Sequence, residues 1–260
     1  MNKSINPAIL DQFETIIGKI HSFSFPKRQG ATSEVIFLHT DNGQFVCKAA
    51  QTSPYREWLL EEARVMKHWK EQTNLPIPTF YQFVENNEES FLLMSLEKGI
   101  PLREALLKAE SDQEKYALLE SFGALLKQLH ETKPPTSWVT KESWLDEQLE
   151  KAIYNLQNYE VDGDQPLLDK LKKHKPIPFK QTLIHGDCTI DNVLVSNGRV
   201  GTFIDLAGSA YGDPRYDIAL ATRSIRNNEE MLQAFYKGYE GETITEEEFD
   251  YFDRGLYEFF

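Results

Sequence analysis

The sequence predicts an α+β chain of two lobes, a small antiparallel-sheet lobe followed by a larger, mainly helical one. Two hairpin signals bracket one helical stretch within residues 1–94. Helical apolar spacing takes over from residue 101 to 260. Between them Ser95–Gly99, running into Gly99-Ile100-Pro101, interrupts both periods. Residues 95–100 are therefore expected as a connector.

In the first lobe Val35–Leu38 and Gln44–Lys48 flank His39-Thr40-Asp41-Asn42-Gly43, a hairpin signal. Tyr55–Lys70 follows, with Leu59, Ala63, Met66 and Trp69 at helical spacing, and Leu75-Pro76-Ile77-Pro78 ends it. Phe80–Val84 and Ser90–Met94 straddle Asn86-Asn87-Glu88-Glu89, a second hairpin. Five strands around one helix are expected for residues 1–94.

In the second lobe Ser111-Asp112-Gln113-Glu114 predicts a capping box. Leu118, Phe122, Leu125 and Leu129 then form the apolar stripe of a core helix. Trp144–Asn158 also reads as helix. Short strands are expected at Thr182–Ile184, Val193–Val195 and Val200–Ile204, with Asn197-Gly198 turning the last pair. Pro214 suits the first turn of a helix running to about Arg226. Thr245-Glu246-Glu247-Glu248 caps a final helix, expected to reach Phe260 with Phe249, Phe252 and Leu256 buried.

The chain has 260 residues, enough for a sizeable core, with ordinary hydrophobic (40%) and charged (27%) fractions. No apolar run approaches the roughly 18–20 residues of a membrane span. The opening residues carry acids and a broken apolar pattern, unlike a signal peptide. Cys47 and Cys188 make no disulfide framework. A cytoplasmic protein is expected. The net charge of −13 disfavours nucleic acid and anionic membrane as partners. It suits a small cationic ligand, or simply solubility. A monomer or weak dimer is expected.

Chemistry concentrates in Leu183–Ser209. His185-Gly186-Asp187 is followed after four residues by Asn192, and thirteen residues on by Asp205 in Phe203-Ile204-Asp205. Packing does not ask for these polar groups at the ends of apolar strands. An amide oxygen and a carboxylate can hold Mg²⁺, a hard ion that takes oxygen ligands, against nucleotide phosphates. Asp187 can accept the proton of an attacking hydroxyl. Asp and Asn also cap ordinary loops, but the three in this order on apolar strands are far rarer.

His-Gly-Asp-x4-Asn followed by Ile-Asp-Leu resembles the aminoglycoside phosphotransferase family, and Tyr216–Arg226 with Glu258-Phe259-Phe260 is similar to its 3′-type enzymes. The resemblance is strong over 182–226, thin over 30–100 and weak over about 135–175. It implies a protein-kinase-like two-lobed fold, with 1–94 as nucleotide-binding lobe and 101–260 as catalytic and acceptor-binding lobe. The ligands implied are ATP, with GTP as the alternative, and Mg²⁺ on Asn192 and Asp205. Lys48 would reach the phosphates, held by Glu62 in preference to Glu61, while Val46 on the same strand face covers the base. Thr32 and Ser33, in Gly30-Ala31-Thr32-Ser33, resemble the family's nucleotide-positioning loop. Backbone groups near Ser95 and Glu97 would meet the adenine edge. Asp217 is expected to support the catalytic loop, and His185 to pack within it. Cys188 is expected to be a bystander.

For the acceptor, Glu160 in the loop with Asp162 and Asp164, together with Arg223, Glu258 and Phe260, are candidates. Two positions depart from the family: Ile190, which is acidic or polar in many relatives, and Tyr257, which stands where a second carboxylate is typical. Both remove negative charge from the acceptor side. The expected activity is small-molecule O-phosphotransfer to an aminoglycoside hydroxyl, and so antibiotic inactivation. The alternatives are an amino sugar, macrolide or choline-like alcohol as acceptor, or a silent nucleotide-binding pseudokinase.

Overall fold

A computed structural model describes residues 7–30, 32–140 and 142–260. The chain clusters into two compact units. One comprises the residues up to Lys98 with Ile204–Gly208; the other comprises Gly99–Phe203 and Ser209–Phe260.

The first unit is built from α1 (Pro7–Ile17), β1 (Ile20–Ser24), β2 (Glu34–Thr40), β3 (Gly43–Ala50), α2 (Tyr55–Gln72), β4 (Phe80–Glu85) and β5 (Ser90–Ser95). Its sheet runs β1-β2-β3-β5-β4 with every neighbouring pair antiparallel. The five strands match the expectation, but α1 was not anticipated. Its Ile9, Phe13 and Ile17 lie one turn apart and pack on Ile36, Leu38, Phe45, Cys47, Phe91 and Leu93. Burying Phe13 alone contributes about 1.5–3 kcal/mol. The end of α1 is held from a distance: the Thr40 hydroxyl and the Asn42 amide both donate to the Ile17 carbonyl. Those two residues belong to the β2–β3 turn, in which Thr40 pairs with Gly43.

Alternation sends Phe45 and Cys47 toward α1, and Val46 and Lys48 to the other face of β3. There α2 buries Leu59, Glu62, Ala63, Val65, Met66 and Trp69. Lys48 lies two residues inside β3, since the strand continues to Ala50.

The second unit contains β6 (Ile100–Pro101), α3 (Leu102–Lys108), α4 (Asp112–Glu131), α5 (Trp144–Asn158), α6 (Gln165–Lys173), β7 (Thr182–Ile184), β8 (Val193–Ser196), β9 (Arg199–Phe203), β10 (Ala210–Gly212), α7 (Pro214–Thr222), α8 (Glu229–Tyr239), α9 (Glu246–Phe252) and a closing 3₁₀ turn (Leu256–Phe259). Two small antiparallel sheets, β6-β8-β9 and β7-β10, carry the loops of interest. Among the described residues no helix is long and apolar enough to cross a membrane.

The α4 stripe Leu118, Phe122, Leu125 and Leu129 is buried as expected. Helices α4 and α8 meet at two glycines. A Cβ on Gly123 would lie 2.1 Å from the Phe235 carbonyl oxygen, and one on Gly238 would lie 1.8 Å from that of Glu120.

Three expectations need correction. Ser111 caps α4 by accepting from the Glu114 N–H, but the Glu114 carboxylate accepts from the Glu110 N–H, so the reciprocal box is incomplete. The helix opened by Pro214 stops at Thr222 rather than near Arg226. The final helix stops at Phe252, and Phe259 is buried from the 3₁₀ turn instead. Gly255 marks the break, where a Cβ would meet the Tyr251 carbonyl oxygen at 2.4 Å. The Thr245 box is complete in both directions.

Candidate active site

In the first unit Lys48 stands at the centre of an ion triad. Its Nζ donates to both Glu62 carboxylate oxygens, at 2.7 and 2.8 Å, and to Asp205 Oδ1 at 3.2 Å. Glu62 is almost wholly buried and Lys48 nearly so, whereas the Asp205 side chain is 44% exposed. Burial works against the Lys48 ammonium, but Asp205 and Glu62 outweigh it and hold the Lys48 pKa above its ordinary value. Glu62 also accepts from the Leu206 N–H at 3.4 Å. Glu61, one residue away, turns outward and pairs with Arg64. Asp205 has φ +63°, a left-handed backbone that costs a non-glycine residue energy and often marks a functional turn.

Val46 is buried on the Lys48 face of β3. Thr32 and Ser33 are half-buried just ahead of β2, while Ala31 lies outside the described residues. At the end of β5 the Ser95 N–H donates to the Thr79 carbonyl, and the Ser95 hydroxyl accepts from the Thr79 N–H and donates to Glu97. Both hydrogen-bonding arms of Ser95 are thus directed into the unit.

In the second unit β7 delivers His185-Gly186-Asp187 and the following turn delivers Asn192. The turn closes on itself, with the Thr189 N–H donating to the Asp187 carbonyl and the Asn192 N–H to the Thr189 carbonyl. The Asn192 amide nitrogen donates to the Asp187 carbonyl at 2.9 Å and to its Oδ2 at 2.6 Å. The nitrogen being so used, Oδ1 is the atom Asn192 can offer a cation. Gly186 takes φ +80°, and Asp217, fully buried on α7, accepts from the His185 and Gly186 N–H groups at 2.6 and 2.8 Å. Those backbone bonds fix the loop where it leaves β7. Asp213 at the N-cap and Pro214 in the first turn start α7 and so set the height of Asp217.

The His185 ring is buried 5.4 Å from that of Phe203, and its Nδ1 accepts from the Asp187 N–H. Burial, followed by the charges of Asp217 and Asp187, raises the Cys188 thiol well above its usual range, so it is no nucleophile.

The acceptor candidates gather around the 3₁₀ turn. The Gly163 N–H donates to the Glu258 carbonyl at 2.8 Å, and Asn155 on α5 donates to that of Phe259 at 2.9 Å. Glu160 and Asp162 are exposed on this docked loop, while Asp164 caps α6 through the Leu167 N–H. Phe260 is 42% exposed. Arg223 is committed to Asp253 at 2.7 Å and lies over the Tyr257 ring.

Several polar contacts were not anticipated. Tyr257 donates to Asp187 Oδ1 at 3.3 Å. Arg103 grips Asp191 through two 2.7 Å bonds, and its N–H donates to the Ile190 carbonyl, fastening α3 to the loop. His130 on α4 lies 3.3 Å from Asp217 through Nε2 and 2.8 Å from the Tyr239 hydroxyl through Nδ1. A carboxylate only accepts, so the Nε2 facing Asp217 is the donor of that bond.

Among the described residues no three His, Cys, Asp or Glu side chains are grouped to hold a metal. Asn192 in the second unit and Asp205 in the first each carry a side-chain oxygen of the kind a hard cation takes. That donor chemistry fits Mg²⁺, which takes few protein ligands and completes its shell with phosphate and water.

The model of the phosphotransferase enzyme family matches residues 26–252. An aminoglycoside 3′-phosphotransferase from Enterococcus faecalis is 30% identical over 195 residues, covering 68% of this chain and 70% of that protein. Among solved structures, the aminoglycoside-3′-phosphotransferase of type VIII superposes with a TM-score of 0.73 at 20% identity, covering 92% of this chain and 93% of that one. An aminoglycoside phosphotransferase from Streptomyces rimosus, in complex with ADP and streptomycin, gives 0.69 at 18% identity, covering 94% and 96%. The protein-kinase-like α+β fold is thereby shared, and the chain belongs to the phosphotransferase enzyme family.

Proposed function

We propose that this member transfers the terminal phosphoryl group of ATP to a hydroxyl of an aminoglycoside. The observation carrying the reading is the Asp187–Asn192 lock, in which the amide nitrogen orients the carboxylate at 2.6 Å and leaves the amide oxygen for a metal. The E. faecalis relative, named for aminoglycoside 3′-phosphotransfer, supports the acceptor class.

In the proposed reaction the acceptor hydroxyl oxygen attacks the γ-phosphorus. Its proton passes to the Asp187 carboxylate, the bond from the γ-phosphorus to the bridging oxygen breaks, and ADP leaves. Lys48, held by Glu62, contributes a fixed positive charge to the nucleotide phosphates. Mg²⁺, held by Asn192 and Asp205, would neutralise charge on those phosphates when bound. Exposed carboxylates on the docked loop, Glu160 and Asp162, suit a cationic acceptor.

Coupled ADP release tests the reading, using MgATP or MgGTP with a panel of aminoglycosides, amino sugars, macrolides and choline. Turnover with an aminoglycoside and a product heavier by one phosphoryl group is expected. Turnover confined to another alcohol would replace the acceptor. Nucleotide binding without turnover on any acceptor would leave a silent binder.

A further inference from the structure

Both oxygens of the Asp187 carboxylate receive a side-chain donor, from two separate elements. Oδ2 accepts from Asn192 of its own loop, and Oδ1 from the phenol of Tyr257, seventy positions away on the 3₁₀ turn. The phenol is itself held. The Arg223 guanidinium lies 4.3 Å from the centroid of the Tyr257 ring, and Asp253 fixes that guanidinium at 2.7 Å. Burial, then the Asp187 charge, push the Tyr257 pKa up to about 12, so the phenol remains a donor at neutral pH. A carboxylate bonded at one oxygen can still turn about its Cβ–Cγ bond. Donors on both oxygens define its plane. At 3.3 Å the Tyr257 bond is longer than a relaxed hydroxyl–oxygen bond of about 2.7–2.8 Å. Bonds of this kind often shorten once substrate is in place.

We propose that Tyr257 is a positioning residue for phosphoryl transfer, its hydroxyl setting the plane of the Asp187 carboxylate while Arg223 and Asp253 hold its ring. This rests on Asp187 as the acceptor of the hydroxyl proton. It concerns the transfer step and not acceptor affinity, which separates Tyr257 from the acidic loop.

The test is a kinetic double-mutant cycle on the full chain, with Tyr257→Phe in wild-type and Asp187→Asn backgrounds. The phenylalanine keeps the ring beneath Arg223 and deletes only the hydroxyl. In the wild-type background kcat should fall about ten- to hundredfold, the range expected for one hydrogen bond to a charged group. KM for nucleotide and for acceptor should stay within about twofold, because neither is bound through the lost hydroxyl. In the Asp187→Asn background the same change should have little effect. An unchanged kcat, a rise confined to acceptor KM, or an equal loss in both backgrounds would each overturn the positioning role while leaving Asp187 in place. Full activity of Asp187→Asn alone would instead remove Asp187 from the chemistry, and Tyr257 with it. Thermal unfolding of Tyr257→Phe at the wild-type temperature is expected; a large drop with uniform loss of active protein would make the phenol a packing element and overturn the proposal.

Discussion

Around Lys48 the polar groups are held by charge, whereas around Asp187 they are held by amide, phenol and backbone donors. Glu62 is buried against an ammonium as its counter-charge, while Lys48 is held by Glu62 and Asp205 together. Asp187 belongs to a turn that would keep its shape without its carboxylate, because Asp217 and the turn's own carbonyls bond the backbone. Removing one partner of a buried ion pair leaves an uncompensated charge. Removing one acceptor from a hydrogen-bonded turn open to water does not. The two regions should therefore respond to mutation in different observables.

The largest effect is expected at the loop. Asp187→Ala should lower kcat about 10²–10⁴-fold, the usual range for a positioned base. Its urea midpoint should stay close to wild type. An unfolding midpoint that falls along with kcat would show the loop to be as charge-dependent as the triad, and the contrast would be lost.

Next comes the triad. Lys48→Met should cost about 3–5 kcal/mol of stability, because Glu62 is left buried without its cation, and urea denaturation reads this directly. Lys48→Met combined with Glu62→Leu should recover much of that stability while transfer stays impaired. If the double variant is no more stable than the single one, the pair is not what destabilises the first unit.

A smaller effect is expected where charge and capping act together. Glu248 accepts from the Thr245 N–H and pairs with Arg215. Burial would raise its pKa, but the Thr245 bonds and Arg215 prevail and hold it below the ordinary glutamate value. A carboxyl depressed in the folded state stabilises above its unfolded pKa, and that share is lost as pH falls through the folded value. Glu248→Gln should thus cost up to about 1 kcal/mol at pH 7, solvent screening included. The gap to wild type should close as pH drops below about 4.3, measured by unfolding across pH 7 to 3.

The smallest effect tests the helical register. Glu61→Gln should change stability by less than about 0.5 kcal/mol and leave kcat alone, since Glu61 meets Arg64 at the surface. A catalytic loss there would transfer the lysine-holding role from Glu62.

These contrasts also mark what could be read from the chain. Asp187 and Asn192 are five positions apart within one turn, so their meeting is local and was legible. The preference for Glu62 over Glu61 agrees with helical spacing, since Glu62 lies one turn before Met66 and two before Trp69 on the buried face of α2. Tyr257 reaches Asp187 across 70 positions, and His130 reaches Asp217 across 87; no local period reports such pairs. Helix α1 is a different case: Ile9, Phe13 and Ile17 recur every four residues, a local period that the reading of a broken apolar pattern overlooked. The end of α9 was legible in Gly255, a common helix stop, but the apolar stripe through Leu256 suggested continuation.

The glycine contact between α4 and α8 has a consequence for laboratory evolution of this chain. Any side chain at Gly123 or Gly238 would have to displace a backbone carbonyl on the facing helix. In a randomised library screened for a new acceptor, survivors should keep glycine at both positions whatever activity is selected. The apparent constraint there would report the spacing of two helix axes. Enrichment near Asp187 would report chemistry, and only a parallel readout of folded protein separates the two signals.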